Sequence, residues 1–98
     1  MSVHVYMLRC SDGSYYIGCA NELQRRIGEH ETGHYKGYTA SRLPVQLVWS
    51  EYFERAADAI AVERQLKGWS CGKKEALMQG EWTIVALLAK RRGGRDRK

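Results

Sequence analysis

Ninety-eight residues, 44% of them hydrophobic, suffice for one domain with a modest core and are too few for two. The formal charge of +5 is lopsided: residues 90–98, KRRGGRDRK, hold six basic residues and one acidic, whereas residues 1–89 hold ten of each, which excludes a strongly cationic body. Three cysteines without C-x-x-C spacing disfavour a disulfide framework or a structural zinc site and read as buried, reduced thiols.

The longest apolar run, IVALLA, cannot span a bilayer, and no basic stretch precedes an apolar one at the N-terminus. The expectation is a cytoplasmic protein with no membrane partner and an oligomeric state that composition leaves open. Residues 1–89 form the expected domain. Residues 90–98 form an expected disordered tail, which either adds sequence-independent affinity for a polyanion or only solubilises the chain.

In chain order, VHVYMLRC and YYIGC flank SDG and predict a β-hairpin over residues 3–19. A two-residue turn puts Tyr6 on the face of Ile17 and Tyr16 on the other. A three-residue loop with Gly13 left-handed puts Tyr6 opposite Gly18 and Leu8 opposite Tyr16, on one face. Propensity does not choose between them. Asn21 and Gln24 resemble a capping box, so a helix should run from about 22 to 32 and stop near Gly33. Its few apolar positions, Leu23 and Ile27, share a face with Arg26 and His30, while Glu22, Arg25 and Glu29 point away. GHYKGYTASRLP is a polar loop, and VQLVWSEYF after Pro44 is a third strand. The segment from residue 54 or 55 to Gly68 is a helix whose inner stripe reads Ala56, Ala59, Ile60 and Leu66, with Glu63 inside it. Ser70 caps a third helix, CGKKEALMQ, and EWTIVALLAK gives a fourth, with Trp82, Val85 and Leu88 closing the core. The order β-β-α-β-α-α-α implies an α+β fold, a mostly antiparallel three-stranded sheet covered by helices.

Glu63 is the most anomalous residue, because a carboxylate buried without a partner is costly. It is either neutralised by an arginine such as Arg26 or serves as an oxygen ligand to Mg²⁺, with a substrate phosphate completing the shell. Arg26 suits a phosphate because its planar fork donates two parallel hydrogen bonds. His30 suits proton transfer or a phosphate contact better than a zinc pair with His34. Lys36, Tyr38, Thr39 and Arg42 occupy one Gly-flanked loop, a basic and aromatic mixture that fits either nucleic acid or solvent. Tyr15, Trp49, Tyr52, Trp69 and Trp82 read as core mass.

With these residues placed, the sequence resembles the GIY-YIG nuclease superfamily, and most closely its small stand-alone members, over roughly residues 3–75. The first motif stands as His4-Val5-Tyr6, with histidine for the first glycine. The second stands as Tyr16-Ile17-Gly18, the helix arginine as Arg26, a frequent histidine as His30, and the acidic residue as Glu63. The resemblance implies phosphodiester hydrolysis with Mg²⁺ or Mn²⁺, on DNA more than RNA, selecting structure rather than sequence, as in repair or recombination. It implies that Glu63 holds the metal, Arg26 neutralises phosphate charge, Tyr6 activates water, Tyr16 orients water or phosphate, and His30 donates or relays. It also places both tyrosines on one face, which selects the three-residue loop, and Gly18 is then where Tyr6 and substrate approach the strand. Two other readings stand beside this one. A binding module would grip nucleic acid through Arg26, the loop over 36–42, Lys67, Lys73, Lys74 and the tail; a structural protein would use Glu63 and Arg26 as an ion pair.

Overall fold

A computed structural model describes residues 3–35 and 37–80. The expected fourth helix with Trp82, Val85 and Leu88, the tail, and Lys36 lie outside the described residues. Three strands and three helices follow in order: β1 (Val3–Arg9), β2 (Tyr15–Ala20), α1 (Leu23–Glu31), β3 (Gln46–Phe53), α2 (Ala56–Lys67) and α3 (Cys71–Met78). The strands form one antiparallel sheet ordered β2-β1-β3, so the first strand is central, and the fold is α+β.

The hairpin takes the three-residue loop. Cys10 N donates to Ser14 O at 2.8 Å, Gly13 N donates to Cys10 O at 3.0 Å, and Gly13 sits at φ +86°, a conformation glycine adopts without steric cost. Tyr6 therefore pairs with Gly18 and Leu8 with Tyr16. This parity sorts β1 onto two buried faces. Val3, Val5 and Met7 join Ile17, Phe53, Ala59, Val62, Leu66 and Leu77 on one side, whereas Tyr6 and Leu8 join Ala20, Ile27 and Val45 on the other. A central strand covered on both faces reads as a near-continuous apolar run, as VHVYML does.

Four local expectations are corrected. The N-cap of α1 is Glu22, extended and without a side-chain cap bond, so the Asn21–Gln24 capping box does not form. The inner stripe of α2 is Ala59, Val62 and Leu66, all fully buried, while Ala56 and Ile60 are exposed. The stripe with Ile60 competes with one through Val62, and packing against Val5 and Met7 selects the latter. Glu29, off the Leu23 and Ile27 face and partly exposed, pairs with both Arg25 and Arg26. Tyr52, at an edge of the sheet, is half exposed rather than core mass. Cys10 is buried, but Cys19 is only partly so and Cys71 is exposed at the start of α3. The cap of α3 forms as expected, with Ser70 Oγ accepting from Lys73 N.

Candidate active site

The site begins at the pairing of Tyr6 with Gly18. A Cβ on Gly18 would lie 2.6 Å from the Tyr6 hydroxyl oxygen, so only glycine leaves room for the phenol to cross β2. Tyr6 is fully buried, and its hydroxyl lies 2.9 Å from His30 Nε2. His30, also fully buried, places its other nitrogen 2.7 Å from Thr39 Oγ1. With the ring proton on Nδ1, the imidazole donates to Thr39 and accepts from Tyr6. The helix delivers His30 because Ile27, three residues earlier, anchors the same face to the sheet.

Aromatic rings pack around this chain. Tyr16 lies 5.2 Å from the His30 ring and 6.1 Å from Tyr38, its plane within 22° of the latter. Tyr35 lies 4.2 Å from His30 and meets the Tyr16 hydroxyl at 3.3 Å. Arg26 sits over the Tyr35 ring at 5.1 Å, donates to the Cys19 carbonyl at 3.3 Å, and pairs with Glu29 at 3.3 Å. Its side chain keeps one third of its surface exposed, facing a hollow of about 310 Å³ lined also by Ala20, Asn21, Glu22, Arg25 and Glu29.

Glu63 approaches the other flank of β2 from α2. Its side chain is 19% exposed, and both oxygens have partners: Lys67 Nζ at 2.8 Å on Oε2, and the Cys19 thiol at 3.4 Å on Oε1. The cation that answers Glu63 is therefore Lys67, one turn along the same helix, and Arg26 is committed elsewhere. Lys67 and Lys74 line a cleft of about 210 Å³ with Tyr15, Tyr16, Ile17 and Tyr38. A larger hollow, about 650 Å³, lies on the outer face of α2 around Ala57, Ile60 and Arg64 and touches none of these residues.

Burial pushes the Tyr6 hydroxyl up to about 12, although Arg26 beside it pulls the other way. Burial also raises Tyr16, helped by its bond to Tyr35. Burial, then the nearby Arg26 charge, lower His30 below its ordinary value, so the imidazole is neutral at neutral pH. Burial and the Glu63 charge push the Cys19 thiol up to about 12, which keeps it a proton donor to the carboxylate.

Of the residues singled out in the sequence, Tyr6, Gly18, Tyr16 and His30 come together as one cluster with Arg26 at its rim. Thr39 is fully buried against His30, which removes it from any nucleic-acid surface and makes it a support for the imidazole. Arg42 is occupied: its Nε donates to Asp12 at 3.0 Å, its Nη1 to Tyr38 O at 2.8 Å, and its guanidinium lies 3.8 Å over the Tyr38 ring. Lys73 lies over Trp69 at 5.7 Å on α3. Two residues beside these groups are not singled out by the sequence, Tyr35 in the cluster and Cys19 against Glu63. Tyr35 reaches it because Gly33, at φ +79°, reverses the chain and lets Tyr35 N bond Glu29 O at 3.1 Å. Its signal was its place in the same Gly-flanked loop as Tyr38. Cys19 was read only as a buried thiol, though its step from Gly18 puts it on the opposite face of β2.

A central-strand phenol on an imidazole, an arginine on the next helix and a carboxylate across the edge strand gather polar groups on a small α+β scaffold. Residues 2–76 match the GIY-YIG catalytic domain, and the chain belongs to that family. It is 43% identical over 74 residues to a UPF0213 protein of Halobacterium salinarum, covering 76% of this chain and 96% of that one. It is 42% identical over 81 residues to a UPF0213 protein of Bacillus cereus, covering 83% and 84%. The solution NMR structure of a UPF0213 protein from Bacillus halodurans superposes with a TM-score of 0.56 at 34% identity, covering 92% of this chain and 96% of that one. That of a protein from E. faecalis superposes with 0.58 at 33% identity, covering 82% and 85%.

Proposed function

We propose that this protein is a divalent-metal-dependent endonuclease that hydrolyses phosphodiester bonds in nucleic acid, DNA before RNA, and selects substrates by shape. The observation that carries this reading is the buried chain Tyr6–His30–Thr39 beside Gly18. A phenol titrating at about 12 is a poor base alone at neutral pH. A neutral imidazole hydrogen-bonded to it changes that: as Tyr6 takes a proton from water, its own proton passes to His30 Nε2. Thr39 stabilises the imidazolium that results by accepting from Nδ1–H. Arg26, rigid through Cys19 and Glu29, faces solvent where a phosphate can enter and offsets its growing negative charge.

Glu63 fits a hard divalent ion such as Mg²⁺ or Mn²⁺, since a cation, the Lys67 ammonium, already sits 2.8 Å from one carboxylate oxygen. Glu63 would hold such an ion by its carboxylate, and water and a substrate phosphate would complete the shell, as suits Mg²⁺. Such an ion, when bound, acts as a Lewis acid on the phosphate and its leaving oxygen.

The test is cleavage of branched, single-stranded and duplex DNA and of RNA, with Mg²⁺ or Mn²⁺, by the wild type and by Tyr6→Phe, Arg26→Ala and Glu63→Gln. Metal-dependent cleavage lost in all three variants supports the enzyme. Binding without cleavage in the wild type would favour a module that only grips nucleic acid.

A further inference from the structure

We propose that Lys67 is a resident counter-ion of Glu63 which a divalent cation displaces and which then turns to a phosphate in the neighbouring cleft, coupling metal binding to polyanion binding. The inference rests on the reading that Glu63 holds the metal.

Three observations carry it. First, both oxygens of Glu63 are occupied, one by Lys67 Nζ at 2.8 Å and one by the Cys19 thiol at 3.4 Å, so an ion reaching Oε2 must first remove the ammonium. Second, the two partners differ in freedom. The Glu63 side chain is 19% exposed and the Lys67 side chain 53% exposed, so the carboxylate stays in place while the flexible lysine stem swings through solvent. Third, Lys67 already lines the cleft that contains Tyr16, Tyr38 and Lys74, so a released ammonium need not cross the protein to meet an anion beside Tyr16.

The electrostatics follow directly. Without metal, Lys67 and Glu63 cancel, and Lys74 is the one uncompensated cation among the residues that line this cleft. With metal, the local charge rises by the full charge of the ion, and a mobile ammonium becomes available to a phosphodiester. The wild type therefore binds metal more weakly than a bare carboxylate would, and binds polyanion more tightly once metal is present. By linkage, nucleic acid must strengthen metal binding by the same factor.

The experiment uses the full chain in two arms. Calorimetry with Mn²⁺ alone compares the wild type with Lys67→Gln, Lys67→Arg and Glu63→Gln, each checked for folding by circular dichroism. Fluorescence anisotropy then measures a labelled oligonucleotide with and without Mn²⁺, in a Tyr6→Phe background that prevents turnover. We expect Lys67→Gln to bind Mn²⁺ about tenfold more tightly than the wild type, Lys67→Arg to stay near the wild type, and Glu63→Gln to lose binding. We also expect Mn²⁺ to strengthen oligonucleotide binding by a factor within the usual range of about 5 to 150, and Lys67→Gln to shrink that factor. Unchanged or weaker Mn²⁺ binding by Lys67→Gln, with loss in Glu63→Gln, overturns the role of Lys67 alone. Wild-type Mn²⁺ binding in Glu63→Gln overturns the placement of the metal as well.

Discussion

The Tyr6 hydroxyl oxygen occupies the space where a Cβ on Gly18 would stand, 2.6 Å away, and the two residues face each other across the first strand pair. The phenol of Tyr6 is thus seated in a notch of the backbone. Gly18→Ala should therefore cost more than a turn glycine would. Tyr6 is fully buried and tied to His30, so it cannot yield to a methyl, and overpacking of this kind costs about 1 to 3 kcal/mol. Urea unfolding measures it; an alanine variant with wild-type stability and intact activity would show that the phenol can move aside.

Thr39→Val should leave the His30 Nδ1–H without its acceptor in a buried setting, at a cost of about 1 to 3 kcal/mol. Thr39→Ser should restore both stability and the acid limb of the rate profile. A valine variant whose pH–rate profile matches the wild type would remove Thr39 from the proton chain.

His30 and Tyr6 make stability fall on both sides of neutrality. The folded His30 titrates below its ordinary value of 6.5, so below that pH the unfolded chain binds more protons and stability declines as pH drops. Tyr6, raised from 10.0 to about 12, gives the opposite limb: above pH 10 the unfolded chain loses protons that the folded one keeps, and stability declines as pH rises. Chemical denaturation from pH 5 to 11 should show both slopes, and Tyr6→Phe should flatten the alkaline one. A flat profile in the wild type would contradict the burial of both groups.

On α2, Leu66→Ala should cost about 2 to 5 kcal/mol, while Ile60→Ala, at 42% exposure, should stay within about 0.5 kcal/mol of the wild type. Reversal of that order would restore the inner stripe that runs through Ile60.

Arg42→Ala should leave the salt dependence of oligonucleotide binding unchanged, because its guanidinium is already committed to Asp12 and Tyr38. Lys74→Ala, in the cleft, should lower the slope of log affinity against log salt by about one. Equal slopes for both variants would move the phosphate contacts elsewhere.

The hairpin was legible in the sequence, but its register was not: two loop lengths fitted equally, and only the family resemblance favoured the one, closed by Gly13, that puts Tyr6 and Tyr16 on one face. The helix stop at Gly33 and the Ser70 cap were legible for local reasons. What periodicity cannot show is where a loop folds back. Thr39 and Tyr35 lie in a stretch without regular structure, and only the tertiary fold brings them to His30. The partner of Glu63 lay nearer than expected: a glutamate four residues before a lysine on one helix is a pairing signal in itself. The α2 stripe was ambiguous because Ile60 and Val62 are both apolar, and only the sheet decides between them.

Arg26 has a second consequence through the Cys19 carbonyl. Strand β2 borders the sheet, and an open carbonyl on a border strand invites another chain to add itself there. The guanidinium donates to that carbonyl, so the residue proposed to meet a phosphate also occupies an acceptor that another strand would need. A chain carrying Arg26→Ala should accordingly form more aggregate at high concentration, by light scattering, than one carrying Arg26→Lys.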